Sequence, residues 1–285
     1  MSIPQTNEAF MDLNQFIHWA LPGDSGAETA GTALQRQAQT TIHEHRAWLM
    51  ETRGLCSLGR SVAVFLPDFN ARGFRSLLPR FKRVLALGTT SALDAADHSV
   101  RRAGASVSHD MHLVQAEAAT YFSAALDCLA TSAEAGIHQS LVPADMPAAR
   151  LREIQSLLET CGLTPLPGGL LRGRHGPVAT VILQQDDGTP VGAATAVDMS
   201  SAGPDHIGTS MILAGAVSPE FQGRGLGARL IAAAAVAAHT RLGARRIIGV
   251  VEPGNIRAMR MNARFGLVTR PGQAARYLEC KRTAL

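Results

Sequence analysis

The densest group of residues able to do chemistry in this chain is Gln222-Gly223-Arg224-Gly225-Leu226-Gly227-Ala228. Gly223, Gly225 and Gly227 lack a Cβ, so a turn through them can adopt positive φ and let a ligand approach the backbone closely. A strand-like run, Met211 to Val217, leads into the loop, and an Ala/Leu/Ile run, Leu226 to Thr240, leaves it. A helix that begins there leaves its first N–H groups without intrahelical acceptors. Those donors, the helix dipole and the Arg224 guanidinium would together suit a diphosphate. Two other clusters are weaker. His109-Asp110-Met111-His112 would put both imidazoles on one face of a helix, but a metal site needs a further ligand that the sequence does not identify, and no metal is expected. Cys56, Cys128, Cys161 and Cys280 are far apart with no C-x-x-C pair, which argues for four free thiols rather than a disulfide framework or zinc site.

Two standard glycine-loop signatures are excluded. A P-loop requires Lys and then Ser/Thr after its last glycine, whereas Leu226 and Gly227 follow Gly225. A dinucleotide fingerprint requires G-x-G-x-x-G, and the spacing of Gly223, Gly225 and Gly227 lacks the last step. Gln222-x-x-Gly225-x-Gly227 instead resembles the acetyl-CoA loop of the GCN5-related N-acetyltransferases (GNAT), and Val217-x-Pro219 is similar to that family's strand end. Downstream, Asn255-x-x-Ala258, Asn262 and Phe265-Gly266-Leu267 continue the resemblance in the family's order and spacing.

The resemblance implies acetyl transfer from acetyl-CoA to a primary amine, directly and within a ternary complex. It assigns Ala216 and Val217 to the pantetheine arm, Gln222, Gly223, Arg224, Gly225, Leu226, Gly227 and Ala228 to the diphosphate, and Asn255 and Asn262 to the same donor. Asn262 departs from the family pattern, since many members place there a tyrosine that protonates the departing thiolate. An asparagine amide can hydrogen-bond but cannot act as an acid at neutral pH. A base should reach the amine directly or through one water. The candidates are Asp198, Asp205, His206, Glu220 and Glu252. Glu252, which follows the strand bordering the expected gap, ranks first and Asp198 second. Tyr277 is the alternative proton donor, and Cys280 has no His–Asp pattern to support a covalent route. Arg257, Arg260 and Arg264 share a helix face that either meets the cofactor's 3′-phosphate or is simply solvated. Two other readings stay open: transfer of a longer acyl group, allowed by the small residues Gly208, Thr209, Ser210, Ala214 and Gly215, and an inactive CoA-binding sensor, kept alive by Asn262.

These residues need a scaffold. The expected fold is α/β: a mixed, mostly antiparallel central sheet with flanking helices, the acyl-CoA N-acyltransferase fold, behind an N-terminal accessory α/β segment. Asp187-Gly188 between two apolar runs predicts a hairpin over Pro177–Gln185 and Pro190–Asp198. Three-and-four spacing predicts helices over Glu117–Ala130 and around Leu151–Leu158. Earlier, Ser61–Leu66 and Arg83–Gly88 read as strands around a short helix at Phe74–Phe81, and Gly88-Thr89-Thr90-Ser91 as a helix start rather than a phosphate site. Pro22-Gly23-Asp24-Ser25-Gly26 is a clear break. The reading divides the chain into residues 1–115, an accessory unit with a degenerate acetyltransferase-like copy as one option, and 116–285, the acetyltransferase domain.

At 285 residues with 46% hydrophobic and 18% charged residues, the chain has ample core material and no case for global disorder. The net charge of +4 rests on arginine, with Lys82 and Lys281 the only lysines. No arginine cluster is interleaved with aromatics, so nucleic acid is not an expected partner. The longest apolar run, Leu226–Ala238, contains Arg229 and is too short to span a bilayer. With no basic leader, the expectation is a cytoplasmic enzyme whose partners are acetyl-CoA and an amine, with a homodimer as one use for the N-terminal segment.

Overall fold

A computed structural model describes residues 28–66, 68, 71–102, 105–131 and 134–280, so the expected break at Pro22–Gly26 lies outside the described residues. The first helix, α1 (Ala33–Glu44), starts with a capping box in which Thr32 Oγ1 accepts from Gln35 N and Gln35 Oε1 accepts from Thr32 N. There follow α2 (Arg46–Glu51), β1 (Leu55–Ser57), β2 (Val62–Phe65), α3 (Ala71–Phe81), β3 (Arg83–Thr89), α4 (Thr90–Arg102) and the long strand β4 (Ala105–Glu117). Next come α5 (Ala118–Thr131), β5 (Ile137–Leu141), α6 (Ala148–Thr160) and α7 (Gly168–Leu171). The remainder is β6 (Val178–Gln185), β7 (Pro190–Asp198), β8 (Thr209–Val217), α8 (Leu226–Leu242), β9 (Arg246–Val251), α9 (Ile256–Ala263), β10 (Val268–Thr269) and β11 (Gln273–Cys280). The predicted hairpin and both predicted helices are present.

The strands join in the order β1-β2-β3-β11-β4-β9-β8-β7-β6-β5, with β10 also on β4. Pairing is antiparallel except at β2/β3 and β8/β9. β4 ties the sheet together. Its first half, Ala105–Met111, pairs with β11, and its second half, His112–Glu117, pairs with β9. The last strand of the chain is in turn held between β3 and β4. Residue 115, the expected boundary, therefore falls inside a strand that serves both parts of the sheet. The helical reading of His109–His112 is corrected by the same strand. Residues three apart on a strand point to opposite faces, so the two imidazoles cannot converge. Asp110 pairs instead with Arg276 at 2.7 Å, and no group of three metal-ligating side chains occurs among the described residues.

Alternation along the strands assigns the faces. Ala63, Phe65, Leu85 and Leu87 join Leu151, Ile154, Leu158 and Met211 in one core, whereas Val62, Val64, Val84 and Ala86 pack with the residues of α3 and α4. Behind β6 to β9, α5 and α8 cover the sheet, and the small Ala232, Ala233, Ala234 and Ala235 let α8 lie close to it. Among the described residues no helix is long and apolar enough to cross a membrane.

Two buried groups give the fold a signature at alkaline pH. Burial pushes the Cys56 thiol up to about 12, offset in part by a hydrogen bond from Ser201, and burial with Glu117 nearby pushes the Tyr121 hydroxyl up to about 12. Tyr121 donates to the Ala244 carbonyl at 2.6 Å, between α5 and β9. Both native values exceed the ordinary 9.0 and 10.0, so above pH 9 the unfolded chain holds fewer protons than the native one. The expected result is full stability from these groups below pH 9 and a falling melting temperature as pH rises from 9 toward 12. Thermal scans across that window check it, with Tyr121→Phe flattening part of the decline.

Candidate active site

β8 and β9 pair only through Thr209–Met211 and Arg246–Ile248, and then diverge. The cause lies on the other edge of β8. Ala193 pairs with Ala216 but Thr195 pairs with Leu213, so β8 carries one residue more than β7 there. Ala214 takes up the extra residue at φ +50°, a conformation that costs a non-glycine residue about 1–2 kcal/mol. The divergence leaves the backbone edges of Ile212–Val217 and Gly249–Val251 unpaired with one another and opens a cavity of about 550 Å³. Ala214, Gly215, Gly249, Val250 and Ile231 line its walls, and Asn255, Met261 and Asn262 close its α9 side.

The glycine loop follows β8 at the end where β8 and β9 have diverged. After a short turn at Pro219–Phe221, Gly223 and Gly225 adopt φ of +83° and +82°, and a Cβ added at either would meet nothing within 4 Å. Glycine is thus required there by backbone conformation and free approach, not by crowding. The N–H groups of Gly223, Arg224, Gly225, Leu226 and Gly227 donate to no protein acceptor among the described residues, and Leu226 opens the long helix α8. Such a row of donors at a helix start is suited to a phosphate-bearing ligand. Gln222 does not share in it: its Nε2 donates to the Val217 carbonyl at 3.0 Å and so ties the loop to the strand end. Arg224 is also engaged, 3.4 Å from Glu134 and 5.0 Å over the Phe221 ring, leaving the anion capacity of the loop to its backbone. Ala216 and Ala228 are buried, while Val217 is half-buried at the strand end.

α9 packs against the loop, with Met261 Sδ 3.4 Å from where a Gly227 Cβ would be. Asn255 Oδ1 accepts from Ala258 N at 3.0 Å, so the side chain caps α9 and lines the cavity at once. Asn262 lines the cavity too, and its backbone carbonyl accepts from Phe265 N and Leu267 N, which fixes the end of the helix. Arg257, Arg260 and Arg264 are exposed.

The acid–base candidates separate by position. Glu252 and Tyr277 both line the cavity. Asp198 does not: its carboxylate accepts from Ser200 Oγ at 2.9 Å and Ser200 N at 3.1 Å and holds the turn after β7, where burial raises its pKa. Asp198 is thus engaged as a turn cap and is not among the residues that line the cavity. His206 packs on the Phe65 ring 4.0 Å away and lies 3.3 Å from Asp68, and burial lowers its pKa. Asp205 faces Arg53 at 3.7 Å, and Glu220 is solvent-exposed with a pKa lowered by its hydrogen bond from Ser218. Cys161 does line the cavity, but burial raises its thiol pKa and its Sγ donates to the Val217 carbonyl at 3.4 Å. It is a neutral packing group rather than a nucleophile.

Sequence reasoning missed the wall contributed by the N-terminal part. Arg60, Ser61 and Arg83 line the same cavity. Arg60 Nη1 donates to the Thr164 carbonyl at 2.6 Å, and the Arg83 guanidinium lies 4.0 Å over the Tyr277 ring. A signal existed in the sequence: Arg60-Ser61 directly precedes one apolar strand and Arg83 begins the next.

Residues 149–267 match the family described as "Acetyltransferase (GNAT) family". A GCN5-related N-acetyltransferase from Kribbella flavida has the same fold at TM-score 0.52 and 17% identity, over 90% of this chain and 98% of that one. A putative acetyltransferase from the GNAT family of Novosphingobium aromaticivorans superposes at TM-score 0.54 and 17% identity, over 88% of this chain and 100% of that one. A tandem GNAT protein from the clavulanic acid biosynthesis pathway does so at TM-score 0.52 and 13% identity, over 79% and 76%. A sequence comparison with curated proteins gives no match. The large mixed sheet with its flanking helices is thus the acyl-CoA N-acyltransferase fold, and residues 149–267 are similar to the GNAT family.

Proposed function

We propose that this chain is a GNAT-family N-acetyltransferase that moves an acetyl group from acetyl-CoA to a primary amine in a ternary complex. The observation that carries the reading is the gap between β8 and β9, with the open N–H groups of Gly223–Gly227 following the end of β8 and a cavity lined by Glu252 and Tyr277 where the strands diverge. Unpaired strand edges can take the amides of a pantetheine arm as a further strand would be taken, and the loop N–H groups suit a diphosphate. Gly223, Gly225, Gly227, Leu226 and Asn255 are the residues we assign to the donor, with Ala216 and Val217 at the strand end. Gln222 and Arg224 act indirectly, by bracing the loop. Arg257, Arg260 and Arg264, exposed on α9, are the cations we assign to a 3′-phosphate.

In the reaction, the C–N bond forms as the neutral amine attacks the thioester carbonyl, and the C–S bond breaks. Glu252, directly or through water, first takes the proton whose loss turns the acceptor ammonium into that neutral amine; as the intermediate collapses the nitrogen gives its second proton to water, and the departing thiolate takes one from Tyr277. Asn262 faces the same cavity and can donate a hydrogen bond there without giving up a proton. The first 115 residues serve this site as an accessory unit. The order β2-α3-β3-α4-β4, with β2 parallel to β3, repeats the order β8-α8-β9-α9-β10. We take the N-terminal part to be a degenerate copy, an idea to which the tandem architecture of one structural relative gives precedent. Its β2–α3 connection has no glycine loop, so it would hold no donor of its own.

The test is release of free CoA from acetyl-CoA across a broad panel of amines, peptides and antibiotics. Turnover of at least one class is expected. CoA binding without turnover of any would contradict the enzymatic reading and favour a sensor.

A further inference from the structure

The lining of the cavity has two chemically different parts. The wall of β8, β9 and α9 is the part assigned above to the acetyl donor. A second part of the lining, Arg60, Ser61 and Arg83, belongs to the N-terminal part. Parallel pairing of Val62 with Val84 sets Ser61 beside Arg83 at the starts of neighbouring strands, with Arg60 one residue earlier. Ser61 is 4% exposed, and its Oγ has no hydrogen-bond partner among the described residues. Arg83 Nε is enclosed and also makes no hydrogen bond among the described residues, although Glu279 Oε1 is 3.2 Å away and balances its charge. Arg60 has no carboxylate partner among the described residues and uses one N–H on the Thr164 carbonyl. Burial lowers its pKa, Tyr277 works the other way, and Arg83 adds repulsion.

An enclosed hydroxyl without a partner and a partly buried cation without a counterion are each unfavourable in isolation. Both are relieved by one group, an oxyanion with two or more oxygens, which could accept from the remaining Arg60 N–H groups, Ser61 Oγ and Arg83 Nε together. After Glu279 is counted, one net positive charge remains, which suits a single carboxylate. The β8, β9 and α9 residues that line the cavity include no arginine, lysine or histidine. We infer that the acceptor is an amine carrying a carboxylate, of amino-acid type, whose carboxylate is held by Arg60, Ser61 and Arg83 while its amine points toward Glu252. This rests on the acetyltransferase reading. It also gives the N-terminal part a task, because the copy that lost its own donor loop then supplies acceptor selectivity to the other.

The full-length protein is assayed for CoA release with matched acceptors: β-alanine against propylamine, γ-aminobutyrate against butylamine, and L-lysine against cadaverine. Acetyl-CoA is the donor in one arm and malonyl-CoA in a second, and CoA affinity is followed separately by calorimetry. The carboxylate-bearing member of a pair should be favoured by about 100-fold in kcat/KM, mostly through KM. Arg60→Gln should remove most of that preference while CoA affinity stays within about twofold, and Arg60→Lys should restore part of it. Ser61→Ala, a milder change that keeps the test usable if Arg60→Gln does not fold, should reduce the preference about tenfold. Equal or better use of the neutral amines overturns the inference, as does a preference unchanged in both variants. So does an arginine-dependent preference that follows the malonyl carboxylate with neutral acceptors. CoA binding with no turnover of either member of any pair also overturns it, whereas a wild-type protein that does not bind CoA defeats the acetyltransferase reading beneath it.

Discussion

Replacing Gly225 with valine is expected to weaken CoA binding by about 100-fold or more, equivalent to about 2.7 kcal/mol, while leaving a folded protein. Gly225 sits at φ +82°, a region in which a β-branched residue is a genuine outlier. Its carbonyl accepts from Ala228 N and Arg229 N, so the peptide cannot turn over without breaking the first turn of α8. Holding the native geometry would cost about 1–2 kcal/mol of backbone strain and place two methyl groups where the loop is now open to a ligand. Relaxing it would re-aim the neighbouring N–H groups. Either response harms the anion site. Gly243, at the other end of the same helix, has φ +65° and equally open surroundings, which makes Gly243→Val a matched control. Both variants should lower the melting temperature by a few degrees, about 2–4 °C per kcal/mol for a chain of this size, and only Gly225→Val should lose CoA. Calorimetric titration with CoA and a thermal scan of each variant decide the point.

Removing the base should be nearly as damaging, but with a different signature. Glu252→Gln is expected to lower kcat/KM for the amine by about 100-fold near neutral pH, with CoA affinity unchanged. The deficit should shrink as pH rises, because a larger share of the amine is then already deprotonated and needs no base. Tyr277→Phe keeps a ring beneath the Arg83 guanidinium, so β11 should stay in place. Its loss of kcat, also about 100-fold, should not recover at high pH, because the missing proton is the one delivered to the thiolate. pH–rate profiles of the two variants separate the roles. A Glu252→Gln enzyme with a flat deficit, or one with no deficit, would remove Glu252 from the chemistry.

Local chemistry made part of this protein readable in its sequence. Asp187-Gly188 marked the β6–β7 hairpin, and the loop from Gln222 to Ala228 announced itself because glycine is the residue that tolerates the required φ. The apolar periodicity of α5 and α6 was equally plain. β4 was not. His109, Asp110, His112 and Gln115 break its apolar pattern, and its state is fixed by neighbours on both edges that lie more than 100 residues away. A strand chosen by such long-range pairing carries little local signal. The same pairing hid the acceptor wall, since Arg60, Ser61 and Arg83 meet the donor groove only because β11 and β4 knit the two parts into one sheet. Among the acid–base candidates, sequence order could not distinguish Asp198 from Glu252. Both end strands, but Asp198 turns to cap Ser200 while Glu252 borders the cavity.

The central claim is that the gap between β8 and β9 holds the acyl donor. A crystal structure of the protein with CoA tests it most directly. The diphosphate is expected on the N–H groups of Gly223 to Gly227, the pantetheine arm between Ile212–Val217 and Gly249–Val251, and the sulfur directed toward Tyr277. CoA bound elsewhere, with the gap between β8 and β9 still open, would contradict it.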